Sequence, residues 1–99
     1  MIQILVLLEV NDQGAFREFE SRAIRVMKKY GGTLVSAFEP DIQESSDKRI
    51  NEIHYLEFPS LEAFKNYRAD DGLLKLKELR NKAIASTTVY VSGKPVTYE

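Results

Sequence analysis

The single histidine of this chain, His54, stands in the run Ile53-His54-Tyr55-Leu56-Glu57-Phe58, beside a tyrosine and a carboxylate flanked by apolar side chains. All three can carry a proton. Histidine titrates near neutrality and could act as a base on an enclosed substrate, while a carboxylate desolvated among apolar neighbours has its pKa raised toward the range useful for acid or base work. Glu57, His54 and Tyr55 are therefore the candidate catalytic residues. Each also has a plainer role. His54 shares parity with Leu56 and Phe58, which favours a strand histidine hydrogen-bonded near the helices. Glu57 shares parity with Tyr55 and Ile53 on the opposite face, where it could equally be a rim carboxylate paired to Arg80 or a lysine. Tyr55 suits a subunit interface at least as well as a ligand.

Arg80, Tyr67 and Leu7 are the candidate ligand-binding residues. Arg80 could grip a substrate carboxylate, although an arginine near a helix C-terminus often only satisfies carbonyl groups. Tyr30 and Tyr67 occupy helical core positions and are packing residues first. One histidine and no cysteine leave no metal-ligand spacing, so no metal and no cofactor is assigned. There is no glycine-rich phosphate loop and no nucleophile elbow.

The elements that must carry these residues follow from pattern. Residues 1–10 are apolar in both alternating sets, as in a strand buried on both faces. The run is too short, lacks a basic leader and meets Glu9 without a cleavage site, so it is not read as a signal peptide. Asn11 and Asp12 can cap a helix on which Phe16, Phe19, Ala23, Val26 or Met27, and Tyr30 recur at helical spacing, with Gly31-Gly32 ending it. A short strand over 33–39 stops at Pro40, and the polar residues 41–49 form a loop. A third strand over 50–58 meets Pro59-Ser60, which stops it and caps a helix over 61–69. Asp70-Asp71-Gly72 interrupts that helix, and Leu73, Leu76, Leu79 or Arg80, and Ala83 continue as a further helical segment. A fourth strand spans 86–92, with residues 96–99 as an edge extension.

The order β-α-β-β-α-β predicts a ferredoxin-like α+β domain over 1–99, with four antiparallel strands and both helices on one face. Two helices cannot cover both faces of a sheet. Leu5, Leu7, Ile53, Tyr55 and either Val89 or Val91 would leave roughly 300 Å² of apolar face in projection. A second copy packed sheet to sheet would cover it and enclose a small pocket, so a homodimer binding a small hydrophobic ligand is expected. With 14 basic and 15 acidic residues intermixed, no strong field exists for nucleic acid or membrane. The third strand also lacks the basic and glycine residues of an RNA-recognition sheet. The absence of cysteine is compatible with a cytoplasmic location.

The chain resembles the DUF1330 family of the dimeric α+β barrel group. The resemblance rests on Asp12 with Ala15-Phe16, Tyr30-Gly31-Gly32, Leu56-Glu57-Phe58-Pro59-Ser60 with Glu62-Ala63, and residues 77–80. It departs where the family has an arginine in the second strand, here Ala37, and a Trp-Tyr pair in the second helix, here Asn66-Tyr67. Related barrels include cofactor-free monooxygenases and isomerases, so the resemblance implies a pocket and leaves its chemistry open: proton transfer, oxygenation, or a non-catalytic binding, sensing or assembly role.

Overall fold

Strand β1 (Ile2–Val10) takes the centre of the sheet because both its faces are apolar and both its edges find partners. In the computed structural model, which describes residues 1–44 and 48–98, β1 pairs antiparallel with β3 (Glu52–Phe58) and with β4 (Ile84–Val91). Strand β2 (Thr33–Phe38) pairs antiparallel with the free edge of β3, giving the order β2-β3-β1-β4. This is the ferredoxin-like α+β arrangement.

The helices form where the caps allow. Helix α1 (Gln13–Lys29) starts as the Asp12 carboxylate accepts the Ala15 N–H at 2.9 Å, and it buries Phe16, Phe19, Ala23, Val26 and Met27. Gly31 ends it with φ at 75°, a conformation glycine adopts without strain. Next to it, a Cβ on Gly32 would stand 2.6 Å from the Phe58 ring and closer still to Met27, so only glycine lets the chain pass. After β3, the Ser60 hydroxyl accepts the Ala63 N–H and opens α2 (Leu61–Arg68).

The second helical layer is broken into pieces. Asp70 accepts the N–H groups of Gly72 and Leu73 to start the single turn α3 (Asp71–Leu74), while its other oxygen accepts the Tyr30 hydroxyl at 2.6 Å. Tyr30 is thus half-buried and tied at its tip. That hydrogen bond is also the main cause holding the Asp70 carboxyl below its usual range. Helix α4 (Lys77–Ala83) then runs straight into β4, which begins at Ile84 rather than at residue 86 because Ile84 already pairs with Val10.

Register assigns the faces. Ile4, Leu8, Leu56 and Phe58 are buried beneath the helices, while Leu5, Leu7, Ile53 and Tyr55 lie on the open face. Val89 lies opposite Val6 and Val91 opposite Ile4, so both valines belong to the helix side, and Thr88 and Tyr90 take the open face instead. The expectation that one of these valines faces outward is corrected accordingly. No strand occurs over 92–98, all of it exposed, so the edge extension is absent among the described residues; Glu99 lies outside them. The described part of the segment 41–49 holds no helix or strand, as read from its polarity, and residues 45–47 of it lie outside the described residues.

Two clusters make the core. One gathers Leu8, Phe16, Phe19, Ala83 and Ile84; the other gathers Ile4, Met27, Leu56, Phe58 and Phe64. The broken layer α2-α3-α4 spans the space between them.

Candidate functional site

A cavity of about 420 Å³ opens where the two core clusters part, beneath α2, α3 and α4 and above β1, β3 and β4. Its apolar wall includes Leu8 and Ile84 from one cluster and Leu56 and Phe64 from the other. The volume falls in the range of roughly 300–1,000 Å³ typical of small-molecule sites. Into this wall project Glu20, His54, Tyr67 and Arg80.

His54 is 5% exposed, on the helix side with Leu56 and Phe58. Its imidazole stands between two carboxylates. Nε2 lies 2.5 Å from Glu52 Oε2 and Nδ1 lies 3.8 Å from Glu20 Oε2. Glu52 reaches the ring because it sits two residues earlier on β3, on the same face. Glu20 reaches it from α1. The Phe16 ring lies 6.1 Å from the imidazole and backs it.

Glu20 and His54 also line a second, more polar cleft with Glu52, Ser21 and Ala37. The pair therefore forms the partition between the apolar cavity and that cleft. Because the two carboxylates occupy opposite ring nitrogens, the three groups do not converge on one ion, and no cluster able to hold a metal occurs among the described residues.

Burial pushes the Glu20 carboxyl above its ordinary value; the neighbouring His54 and Arg80 lower it and Glu52 raises it further. Burial likewise pushes the Tyr67 hydroxyl up to about 12, so it remains a hydrogen-bond donor at neutral pH. That hydroxyl has no hydrogen-bond partner among the described residues. Arg80 donates to Thr87 Oγ1 at 3.1 Å, which leaves further guanidinium N–H groups free to meet a ligand.

A raised acid weakens the fold as pH climbs through its folded pKa, since the unfolded chain ionises it at lower pH. Melting curves from about pH 4 upward should therefore show wild type losing stability relative to Glu20→Gln as pH rises. A stability difference that is flat with pH, or that grows in favour of wild type, contradicts the assignment.

The candidate residues divide between the two faces of the sheet. His54, Tyr67 and Arg80 meet at the cavity, whereas Leu7, Tyr55 and Glu57 lie together on the open face. There the Tyr55 hydroxyl donates to Glu57 Oε2 at 3.4 Å, and burial followed by the Glu57 charge pushes the Tyr55 hydroxyl upward. Glu57 and Arg80 are on opposite faces, so the pairing considered for them does not form. Arg80 bonds to a strand hydroxyl rather than capping helix carbonyls.

Glu20 and Glu52 went unnoticed in the sequence. Glu20 follows Phe16 by one helical turn, so it is a carboxylate on the apolar stripe, and Glu52 has the parity of His54. Those two spacings were the available signals.

Comparison with known proteins places this chain in a family. A search of curated proteins finds no match. Among solved structures, a protein of unknown function from Rhodopseudomonas palustris superposes with a TM-score of 0.81 at 17% identity, covering 98% of this chain and 83% of that one. A dimeric protein of unknown function with a ferredoxin-like fold from Bacteroides fragilis gives 0.62 at 13% identity, covering 92% and 93%. A cofactor-independent oxygenase from Streptomyces nogalater, SnoaB, gives 0.68 at 13% identity, covering 97% and 94%. These likenesses show the fold. The profile of the family described as Domain of unknown function (DUF1330) matches residues 3–94, and this chain belongs to that family.

Proposed function

We propose that each subunit of a homodimer binds a small, largely apolar molecule in the cavity between sheet and helices, where Glu20 and His54 exchange a proton with it without a cofactor. The observation that carries this reading is a buried histidine held between two carboxylates in the wall of an otherwise apolar cavity. A neutral imidazole has one donor and one acceptor nitrogen. In the tautomer protonated on Nε2, Glu52, at hydrogen-bond distance from that nitrogen, takes the ring N–H and leaves the Nδ1 lone pair toward Glu20.

The chemistry then balances within the chain. A Glu20 carboxylate removes a proton from the ligand and becomes a carboxylic acid. Once rotation of the Glu20 side chain closes the 3.8 Å separation to hydrogen-bond distance, the acid passes that proton to Nδ1, and Glu52 stabilises the resulting imidazolium. The same proton returns to the ligand at its original or a conjugated position. Tyr67 and Arg80 supply donors for the negative charge that develops on a ligand oxygen. The description of SnoaB as cofactor-independent supports cofactor-free chemistry on this scaffold.

Leu7, Tyr55 and Glu57 belong, in this reading, to the face that a second copy covers. The Tyr55–Glu57 hydrogen bond favours a second role there, in which these polar groups satisfy one another and serve assembly alone. A cytoplasmic location without nucleic-acid or membrane partners completes the proposal, supported by the balanced charge. Among the described residues no helix is long and apolar enough to cross a membrane.

Exchange of α-protons for deuterium tests the mechanism on surrogate substrates. Wild type incubated in D2O with a panel of small apolar ketones and β-keto esters should exchange at least one of them. Glu20→Gln and His54→Gln should slow that exchange about 10²–10⁴-fold while their circular dichroism stays native. Equal rates in wild type and both variants would overturn the proton-transfer role.

A further inference from the structure

We infer that the ligand of this cavity is a small amphipathic anion, with an apolar body against the core and an anionic head at the α2–α4 side; the inference rests on the cavity being the ligand site. The cavity is lined by three cations, Arg68, Lys77 and Arg80, and by one carboxylate, Glu20. Three against one leaves an excess of two positive charges, in a chain whose formal net charge is -1. Charge is segregated toward this opening.

The three cations are exposed at the rim of the cavity, and none of them is held in an ion pair among the described residues, although the Arg80 charge also acts on Glu20. Among the described residues, the ion pairs within 4.0 Å involve Arg22, His54 and Lys82, and none involves Arg68, Lys77 or Arg80. Arg68 instead lies over the Phe64 ring, 5.4 Å from its centre, which holds its guanidinium above an apolar wall. Arg80 spends one bond on Thr87. A guanidinium keeps five donors in a fixed fork suited to a carboxylate, so each arginine retains donors for an anionic head.

The opposite polarity fits poorly. An ammonium head would meet three cations, and its one attractive partner, Glu20, already faces His54. A neutral alcohol would fill the apolar wall but gain no charge attraction from the cations.

Titration calorimetry with phenylpropanoate, phenylpropanol and phenylpropylamine, three probes of one body and different heads, tests the inference. The acid should bind at least about tenfold tighter than the alcohol, the amine should be the weakest, and added salt should narrow the difference. In an Arg68→Gln/Lys77→Gln protein the preference for the acid should fall several-fold. If the alcohol or the amine binds as tightly as the acid, the cavity stands and this inference alone is overturned. If none of the probes binds, the cavity reading itself fails and the inference falls with it.

Discussion

Phe58→Ala is expected to lower the free energy of unfolding by about 3–5 kcal/mol, the cost of removing a large side chain from a core that cannot close around the gap. Phe58 is 0% exposed. Its ring packs edge-on against Phe64 at 5.2 Å and lies 5.4 Å from the Tyr67 ring, so three aromatic side chains hold one another in place. A domain of this size has about 5–15 kcal/mol in total, which makes this one truncation a large share. Urea unfolding measures it, and a loss below about 1 kcal/mol contradicts the packing described. The same truncation removes the support under Tyr67. Ligand affinity should therefore suffer even under conditions where the variant remains folded.

A Leu7→Arg/Ile53→Arg protein is expected to be monomeric at concentrations where the proposed homodimer forms. Leu7 and Ile53 are cross-strand neighbours on the open face, which also exposes Leu5, Phe38 and Tyr90. Apolar side chains gathered on one face mark an interaction surface, and in the proposed dimer a second copy meets it with the same surface under two-fold symmetry. Unpaired charge buried there costs about 3–5 kcal/mol, which weakens association roughly 10²–10³-fold or more. Sedimentation reads the outcome directly. Wild type should run as a particle of twice the 11.3 kDa chain and the variant as a single chain with native circular dichroism. A wild type that stays monomeric at micromolar concentration removes the assembly part of the account and leaves the cavity, which each chain forms alone.

The faces of β3 were legible from alternation alone, because a strand with one covered side exposes its parity in its burial. His54, Leu56 and Phe58 are buried in turn, and Tyr55 and Glu57 between them are not. The turn at Pro59-Ser60 and the glycine pair at residues 31 and 32 were equally legible, since few residue types satisfy those backbones. The faces of β4 were not. Both of its alternating sets can pack, and only its register against β1 decides that Val89 joins Val6.

The site was half legible for a related reason. Parity put His54 on the helix side, and the interruption at Asp70-Asp71-Gly72 was legible, but the second break, after Leu74, was not, and a ligand space was expected between two sheets. The breaks after Arg68 and Leu74 leave the sheet incompletely roofed. Beneath that gap His54, Tyr67 and Arg80 line one cavity. Glu20 escaped notice because a single carboxylate on an apolar stripe reads as an interruption of the pattern, when here it is the group the pattern delivers.

Methyl-resolved NMR with a panel of small apolar acids tests most directly where the ligand sits. Shift changes should cluster on Leu8, Leu56, Ile84 and Val89, the methyl groups around His54 and Glu20. Changes confined to Leu5, Leu7 and Ile53, on the open face of the sheet, would contradict a ligand site beneath the helices.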